Sequence, residues 1–419
     1  MKVLVIGAGG RESAIVWKLN KSKRVEKIYA APGNIGMEHL TELVNISQTD
    51  VYNLADFAEK NKVDLTIVGP EDALSLGIVD IFEARGLKIF GPCKDAAIIE
   101  YSKEFSKDFM KRNNIPTASF EIFCNKDAAL SYIKGRQLPI VIKADGLAAG
   151  KGVYICKTLA EAERALDDMM VSSKFGKSGN SVVVEEYLSG VEVSVLTFVD
   201  GKTVVPMISA KDHKQIFDGG KGPNTGGMGT IAPNPAYDTK IAEICMETIF
   251  KPTVAALAKE GRTYKGVIFF GLMLTADGPK VIEYNARFGD PETQVVLPML
   301  ESDLAEVCLA CCEGSLDKID VQIRGNAAAV CVILASGGYP DTFERGFEIK
   351  GVECVENAND ALLFFAGVKK DGDKFLTNGG RVLGVTALAD NVTEAVEKAY
   401  EYADKVKFEN KYLRRDIGR

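Results

Sequence analysis

One strand-like segment carries a carboxylate, an amide and a guanidinium at alternating positions. Because side chains alternate along a strand, Glu283, Asn285 and Arg287 fall on one face. Ile282 and Tyr284 point the other way. A carboxylate beside an amide oxygen suits Mg²⁺, which keeps its other positions for phosphate and water, and a nearby guanidinium suits the equatorial oxygens of a phosphoryl group in transfer. The segment predicts a magnesium-assisted phosphoryl-transfer site, with a polar edge strand as the alternative.

A second candidate is the glycine-rich stretch after the apolar run at 139–142. It resembles a P-loop superficially, but three residues separate Gly146 from Gly150, and Gly152 occupies the place of the magnesium-binding Ser or Thr. A strand also follows where a P-loop requires a helix. A glycine-rich loop between antiparallel strands can instead close over a triphosphate, with Lys143 and Lys151 supplying positive charge. The alternative is a flexible hairpin with solvated lysines.

Another strand-like segment, from Val182, ends in Glu185 and Glu186 and is followed by a turn and Glu192. Carboxylates at such a strand end can accept hydrogen bonds from an amine or from a ribose diol. Solvated carboxylates give the same pattern, so this segment indicates a nucleoside-binding edge only together with the other motifs.

Two further motifs, Lys211–Lys214 and Gly222–Gly229, predict a polar, glycine-rich loop of about 20 residues, a length that inside a compact domain is usually functional. His213 within it could carry a proton. A histidine that only makes hydrogen bonds is an equal alternative.

The turn Gly7–Gly10 follows the first strand and opens a helix, so its free backbone N–H groups and the helix dipole suit an anion. The dinucleotide fingerprint G-x-G-x-x-G is broken, because Glu12 replaces the third glycine. The second strand also runs into Asn34 without the acidic residue that would bind a ribose hydroxyl. A nicotinamide-dependent enzyme is therefore disfavoured, and a tight turn that binds nothing is the alternative.

These motifs need elements to position them. The first hundred residues alternate short apolar strands with helices, which predicts a parallel sheet covered on both faces, with functional loops at the carboxyl ends of its strands. The predicted strands are Val3–Ile6, Lys27–Ala30, Leu65–Val68 and Lys88–Phe90, and the predicted helices are Arg11–Asn20, Tyr52–Lys60 and Ile78–Arg85.

The rest of the chain has a different pattern. A helix over Asp95–Arg112 precedes strand hairpins with interspersed helices, and strands at 362–365 and 381–387 precede a last helix, Val392–Lys405. We therefore expect a multidomain α/β protein. It would have an N-terminal parallel α/β domain over residues 1–100, a central α+β domain over 101–320 with a mobile flap at about 117–186, and a small C-terminal α+β domain over 321–419.

Composition excludes several classes of protein. Of 419 residues, 46% are hydrophobic and 26% charged, as in ordinary globular domains. With 51 Lys and Arg against 58 Asp and Glu, and no basic run, a nucleic-acid partner is not expected. No apolar run approaches the roughly 20 residues that span a bilayer, and the sequence starts directly in a strand. We expect a cytoplasmic protein without a membrane partner.

The cysteines agree with a reducing compartment, because the nine of them are an odd number scattered along the chain. The CxxC motif, Cys308–Cys311, has a helical pattern that turns Leu304, Val307 and both thiols to one face. With no second CxxC pair and only two histidines in the chain, the motif predicts buried core thiols rather than a zinc site.

Taken together, the motifs resemble those of the phosphoribosylamine-glycine ligase family, the glycinamide ribonucleotide synthetases of the ATP-grasp superfamily. The likeness extends nearly from end to end. It is carried by Val5–Glu12, Ile89–Pro92, Ile142–Val153, Gly222–Gly229, Arg287–Gln294, Thr377–Arg381 and Arg415–Gly418.

The resemblance implies that the central domain is an ATP-grasp domain, and it implies a reaction. ATP phosphorylates the carboxylate of glycine, and the amine of 5-phosphoribosylamine attacks the acyl phosphate. The products are glycinamide ribonucleotide, ADP and phosphate, in an early step of purine synthesis. The implied cofactors are ATP and Mg²⁺ or Mn²⁺, and the implied partners are the small-molecule substrates. The motifs do not determine an oligomeric state, and a monomer is compatible with them.

By position, the resemblance gives roles to individual residues. Glu283 and Asn285 would hold the metal, Arg287 would steady the γ-phosphoryl group and the acyl phosphate, and Asp212 would lie near the glycine ammonium. The residues implied to contact ATP are Lys103, Lys143, Gly150, Lys151, Glu185, Glu186, Leu188 and Glu192. Those implied to contact phosphoribosylamine are Gly9, Gly10, Asn224 and Thr225.

Two departures from the family pattern bear on the site. Ser13 stands where the family usually has His, and Gly271–Leu274 stands where related enzymes often carry a third acidic metal ligand. Three other interpretations remain at this point: a sister ATP-grasp ligase or carboxylase, a dinucleotide oxidoreductase, and a non-catalytic ATP sensor.

Overall fold

The computed structural model describes residues 1–146, 152–172 and 179–419. The first hundred residues form a parallel sheet of β1 (Lys2–Gly7), β2 (Lys27–Pro32), β3 (Glu42–Leu43), β4 (Leu65–Val68) and β5 (Ile89–Phe90), with helices α1 (Gly10–Leu19), α2 (Val51–Asn61), α3 (Glu71–Ser75) and α4 (Ile78–Ala84). The spatial order is β3-β2-β1-β4-β5. The predicted parallel sheet is confirmed. The strand β3 and the helix α3 were not predicted, because elements of two and five residues are too short to show a period.

The helix predicted over Asp95–Arg112 is two helices, α5 (Lys94–Tyr101) and α6 (Lys103–Arg112). Between them, Ser102 is extended, with φ −126° and ψ 109°, and its hydroxyl accepts a hydrogen bond from the N–H of Phe105. The prediction of one helix was wrong because serine can cap a new helix as well as sit inside one.

An antiparallel sheet follows, and it contains the segment predicted as a flap. Its strands are β6 (Phe120–Phe123), β7 (Ile140–Ala144), β8 (Val153–Cys156) and β9 (Val182–Glu186), in the order β6-β9-β7-β8. Helices α7 (Lys126–Lys134) and α8 (Leu159–Leu166), the latter continued by a π-helical turn at Asp167–Val171, pack against it. The predicted contacts at Gly150 and Lys151 lie outside the described residues.

A second antiparallel sheet pairs β10 (Val191–Asp200), β11 (Val204–Pro206), β16 (Lys265–Thr275) and β17 (Gly278–Asn285), in the order β11-β10-β16-β17. Gly271 of β16 pairs with Glu283, but Leu272 pairs with Val281, so a bulge at Ile282 interrupts the alternation. Glu283 and Asn285 keep the face opposite to the buried Tyr284, as predicted. The bulge was not predicted.

The polar loop predicted over 211–229 was wrong, because most of it forms short strands. These are β12 (Lys211–Asp212), β13 (Gln215–Phe217), β14 (Lys221–Asn224) and β15 (Gly229–Ala232). β13 and β14 form a hairpin, whereas β12 pairs with β15. Strands of two to four residues are too short to show an alternating period, and β15 also pairs with β18, from a distant part of the chain.

The C-terminal sheet is built on β18 (Ala328–Ser336), which pairs with β15, with β23 (Arg381–Ala389) and with β24 (Lys411–Tyr412). β20 (Ala361–Phe365) completes this sheet, and β19 (Glu348–Ile349), β21 (Val368–Asp371) and β22 (Lys374–Thr377) form a separate one. The helices of the second half are α9 (Thr239–Cys245), α10 (Lys251–Lys259), α11 (Thr293–Met299), α12 (Leu304–Glu313), α13 (Glu353–Glu356) and α14 (Val392–Lys405). A π-helical turn, Met246–Phe250, joins α9 to α10. The last helix has the predicted bounds.

The N-terminal and C-terminal parts are joined by buried polar contacts. The amide of Asn34 donates to the carbonyl oxygens of Ala8 at 2.8 Å and Phe365 at 2.9 Å. The backbone N–H of Phe365 donates to Oγ of Ser13 at 3.2 Å. Ser13, the departure from the family pattern, therefore serves this contact between the two parts.

Both thiols of the CxxC motif lie in the core, fully buried on α12, and their predicted burial is confirmed. Cys124 and Cys354 are the exposed cysteines. Within the described ranges, no helix is long and apolar enough to cross a membrane.

Candidate active site

The guanidinium of Arg287, just beyond the end of β17, is held on every nitrogen. Nε lies 3.1 Å from a carboxylate oxygen of Glu71, and Nη2 lies 2.9 Å from one of Glu100. Nη2 also donates to the amide oxygen of Asn285 at 3.2 Å, and Nη1 donates to the Phe288 carbonyl at 3.2 Å. Burial alone would lower the pKa of Arg287, but the carboxylates of Glu100 and Glu71 raise it. The cation is permanently charged and fixed in direction.

The carboxylate of Glu283 is ionised at neutral pH. The ammonium of Lys214, 3.4 Å away, lowers the pKa of Glu283 to about 2, with help from Lys143 and Lys103. Burial acts on Lys214 in the opposite sense, but Glu283 and Glu192 raise its pKa above the ordinary value. An anionic oxygen next to the amide of Asn285 is a donor set that Mg²⁺ accepts. Across β16 the partner of Glu283 is Gly271, so that strand adds no carboxylate at this register position.

A buried triad of charges underlies the predicted nucleotide pocket. Glu185 lies 2.9 Å from the ammonium of Lys107 and 2.9 Å from that of Lys143, and all three side chains are at most 5% exposed. Lys143 also donates to the carbonyl of Ile282, in the bulge, at 3.0 Å. Burial lowers the pKa of Lys107 to about 8. The structure thus unites Lys143 and Glu185, which were predicted on separate strands, and adds Lys107.

Four more of the residues predicted to contact ATP belong to the described part of the chain: Lys103, Glu186, Leu188 and Glu192. Lys103, at the start of α6, donates to the carbonyl of Gly146 at 2.7 Å, and burial lowers its pKa. Glu186 is exposed, accepts from the N–H of Ser119 at 2.9 Å and lies 3.4 Å from Lys280. Leu188 is half-buried, and Glu192 is exposed, 3.7 Å from the ammonium of Lys214. Glu186, Leu188 and Glu192 lie at or within the connection from β9 to β10.

The turn before α1 is already occupied by carboxylates of the protein itself. The N–H of Gly9 donates to Glu12 at 2.6 Å, and the N–H of Arg11 donates to Asp290 at 3.4 Å. The expectation of free N–H groups in the turn Gly7–Gly10 was therefore wrong at Gly9. A Cβ on Gly10 would lie 2.6 Å from the side-chain nitrogen of Gln294, so only glycine fits without a shift there.

Asp212 lies in a buried, carboxylate-rich part of the cleft. Its Oδ1 atom is buried and has no hydrogen-bond partner among the described residues. Burial, reinforced by the charge of Glu292, raises the pKa of Asp212 well above its usual range. Nearby, Thr225 donates from its backbone and its hydroxyl to the Lys214 carbonyl, both at 2.7 Å. Asn224 ends the hairpin strand β14.

Four groups of the site were not assigned a role from the sequence: Glu71, Glu100, Lys107 and Lys214. Glu71 follows the predicted strand Leu65–Val68, where a functional loop is expected, and Lys214 belongs to the motif Lys211–Lys214. The sequence therefore carried a signal for both residues. Glu100 and Lys107 lie inside helices with nothing in their spacing to distinguish them from solvated residues.

Two antiparallel sheets with lysines and carboxylates between them, beside the carboxylate of Glu283, the amide of Asn285 and an arginine, are the arrangement expected of an ATP-grasp enzyme. Models of the phosphoribosylglycinamide synthetase N domain, ATP-grasp (A) domain and C domain match residues 1–100, 101–293 and 329–419. The chain belongs to the phosphoribosylglycinamide synthetase family, and it is a ligase that forms a carbon–nitrogen bond. The predicted family and fold class are confirmed.

Individual relatives agree. A phosphoribosylamine-glycine ligase of Caldanaerobacter subterraneus is 52% identical over 100% of this chain and 99% of its own, and one of Halalkalibacterium halodurans is 50% identical over 100% and 96%. A crystal structure of the Thermotoga maritima ligase superposes with a TM-score of 0.85 at 35% identity, covering 100% of both chains. A biotin carboxylase domain from Hydrogenobacter thermophilus, at 15% identity and TM-score 0.76, covers 98% of this chain and 91% of its own and shares the fold alone.

Proposed function

We propose that the chain joins glycine to 5-phosphoribosylamine with ATP, through a glycyl phosphate, and releases glycinamide ribonucleotide, ADP and phosphate. The observation that carries the proposal is the end of β17. There an ionised carboxylate, an amide oxygen and a fixed guanidinium stand within five residues, beside the buried lysines of the nucleotide pocket.

In the first step, an oxygen of the glycine carboxylate attacks the γ-phosphorus of ATP, and the bond to the β-phosphate oxygen breaks. Lys103 and Lys143 neutralise the phosphates, while Arg287 offers fixed donors to the charge that develops on the transferred group. Asp212, whose buried Oδ1 has no hydrogen-bond partner among the described residues, would accept the glycine ammonium.

In the second step, the amine nitrogen of phosphoribosylamine attacks the acyl carbon, phosphate leaves with the bonding electrons, and the departing phosphate takes up the proton that the amine loses. A carboxylate is a poor electrophile, so activation must come first, and the acyl phosphate must be shielded from water. Gly9, Gly10, Asn224 and Thr225 are proposed to bind the phosphoribosylamine. Because Glu12 and Asp290 occupy the N–H groups of Gly9 and Arg11, a phosphate there would have to displace at least one of them.

Glu283 and Asn285 would hold a divalent ion, Mg²⁺ or Mn²⁺. The ion, when bound, neutralises phosphate charge. Glu283 is ionised and partly exposed, which fits this role, and the ammonium of Lys214 would have to move from it as a second cation arrives. With one carboxylate in this pair, the nucleotide's own oxygens would complete the coordination.

The test is ADP release with ATP, Mg²⁺, glycine and freshly generated phosphoribosylamine, with each component omitted in turn. We expect full turnover only with all four, because a shielded acyl phosphate does not leak to water. Fast turnover with another amino acid but not with glycine would contradict the proposed substrate. ADP release with glycine alone, at the full rate, would contradict the shielded intermediate.

A further inference from the structure

Glu100 belongs to the N-terminal part of the chain, yet its carboxylate ends at the arginine of the ATP-grasp sheet. It lies in the last turn of α5, and its side chain is 7% exposed. One oxygen lies 2.9 Å from Nη2 of Arg287, and the other accepts from the backbone N–H of Ala286 at 2.6 Å. One carboxylate thus holds both the guanidinium and the peptide group that precedes it.

A carboxylate in this place has a cost to the fold. Burial raises the pKa of Glu100 to about 7, even though Arg287 acts in the opposite sense. Buried charges often stabilise a protein less than apolar side chains of the same volume. The rest of α5 packs through Ala96, Ala97 and Ile99. The helix therefore does not need this carboxylate for packing.

The contacts of Arg287 divide into two sets. Asn285 and Phe288 come from the same stretch of chain, so they cannot fix the arginine against another part of the molecule. Glu71 and Glu100 come from the N-terminal part and fix it from outside. Of these two, Glu71 is 29% exposed on its side chain, whereas Glu100 is enclosed and also holds the backbone.

We propose that Glu100 is a positioning residue, which aims the guanidinium of Arg287 at the transferring phosphoryl group. This inference rests on the role proposed above for Arg287. An arginine side chain loses much rotational freedom when it is held, and a misplacement of about 1 Å can cost a hundredfold in rate, so a group that fixes it in advance acts on turnover rather than on substrate binding.

The first test is Glu100→Gln, which keeps the size and one acceptor oxygen for Ala286 but removes the charge opposite Arg287. We expect kcat to fall about tenfold or more, while the KM values for ATP and glycine and the Mg²⁺ dependence change less than about threefold. Unchanged kcat would overturn the proposal, and so would a loss confined to KM. If the Gln variant does not fold, Glu100→Asp, which keeps the charge but cannot span both contacts, takes its place with the same expectation.

The second test asks whether Glu100 acts through Arg287. In an Arg287→Lys background the guanidinium is gone, so Glu100→Gln should lower kcat by no more than about threefold further. Equal losses in both backgrounds would show that Glu100 acts on its own and would overturn the proposal. Absence of glycine-dependent turnover in the parent would instead contradict the proposed function, so the two failures are distinguishable.

The matched control is Glu260→Gln. Glu260 also binds an arginine through two contacts, at 2.8 and 2.7 Å from Nε and Nη2 of Arg112, and also accepts from a neighbouring amide, that of Asn113. This pair lies away from the site. The control should leave kcat unchanged, and the melting temperature of both variants is measured alongside kcat. If Glu260→Gln lowered kcat as much as Glu100→Gln does, the loss of kcat would be a general consequence of removing such an ion pair, and the proposal would be overturned.

Discussion

At the scale of single residues, the site is a set of charges held in place by opposite charges. Glu283 is the clearest case, because Lys214 keeps it ionised far below neutral pH. A metal ion would therefore meet an anion and not a proton. We therefore expect the effect of a substitution at Glu283 on metal binding to depend on the charge of the side chain rather than on its shape.

Glu283→Gln keeps that shape and removes the charge. We expect a higher Mg²⁺ requirement, by tenfold or more, and a lower kcat even at saturating metal, because Mg²⁺ prefers anionic oxygen. ADP release measured against Mg²⁺ concentration checks this. Glu301→Gln, which breaks an exposed contact of 3.7 Å with Arg324, is the control. Parental metal dependence in Glu283→Gln would make Glu283 an ordinary polar residue.

The burial of His213 predicts that the stability of the protein depends on pH. Its ring nitrogen Nδ1 lies 3.2 Å from the Gly229 carbonyl, and burial, with Arg414 nearby, lowers the pKa of His213 to about 4. These contacts favour a hydrogen-bonding role over proton transfer. From pH 6.5 down to 4 the unfolded chain takes up a proton that the folded protein does not, so stability is lost as the pH falls.

His213→Gln should remove this part of the pH dependence, up to about 1.4 kcal/mol per pH unit. The measurement is the free energy of unfolding by urea at pH 7 and pH 5. The exposed His39 is the other histidine of the chain, and His39→Gln is the matched control for the loss of a histidine side chain. If His213→Gln shows the same pH dependence of stability as the parent, burial does not lower the pKa of His213 in the folded protein.

At the scale of elements, the break at Ser102 places two side chains of the site. Glu100 ends one helix beside Arg287, and Lys103 begins the next beside Gly146. The Ser102 hydroxyl accepts from the N–H of Phe105 at 3.1 Å and lies 3.3 Å from Asp145. One continuous helix would carry these side chains in other directions.

Ser102→Ala should lower the free energy of unfolding by about 1 kcal/mol, the usual cost of losing such a cap, and should also raise the KM for ATP, because Lys103 stands in the first turn. Asn391→Ala, which removes the corresponding cap of α14 far from the site, should cost similar stability without changing KM. If both variants change the KM for ATP to a similar extent, the break between α5 and α6 has no specific role in nucleotide binding.

Elements with a period of their own were predictable from the sequence, and elements that depend on distant partners were not. Val3–Ile6 and Val392–Lys405 each show a pattern within one element, and both were found as predicted. The strands between 211 and 232 are only two to four residues long, and β15 also pairs with β18, about a hundred residues later. For the same reason the strand that carries Glu283 could be found from the sequence, whereas the contact of Glu100 with Arg287, from another part of the chain, could not.

At the scale of the whole molecule, the N-terminal and C-terminal parts meet beside the turn that is proposed to bind phosphoribosylamine. Asn34 donates to Ala8, next to Gly9, and to Phe365 of the C-terminal sheet. A Cβ on the neighbouring Gly36 would lie 1.9 Å from the ring of Phe365, so the two parts are in close contact. The geometry of the turn therefore depends on this docking.

Asn34→Ala should lower the melting temperature and raise the KM for phosphoribosylamine several-fold, while the KM for ATP stays near parental, because the lost contacts reach Ala8 and not the nucleotide pocket. Steady-state kinetics with each substrate varied in turn check this. Asn357→Ala, which removes an exposed contact within α13, is the control and should change neither KM. A change confined to the KM for ATP would mean that this turn contributes to the ATP site rather than to the phosphoribosylamine site.

The distribution of cysteines has an experimental consequence. Burial raises the pKa of the thiols in the interior, to about 12 for Cys331, so they stay protonated and unreactive, whereas Cys124 and Cys354 are exposed. Cys124 follows β6, in the sheet β6-β9-β7-β8, and Cys354 lies in α13 of the C-terminal part. The native protein therefore offers two attachment points for spin labels or fluorophores, and the distance between them would report any movement of the sheet β6-β9-β7-β8 relative to the C-terminal part during turnover, without an engineered cysteine.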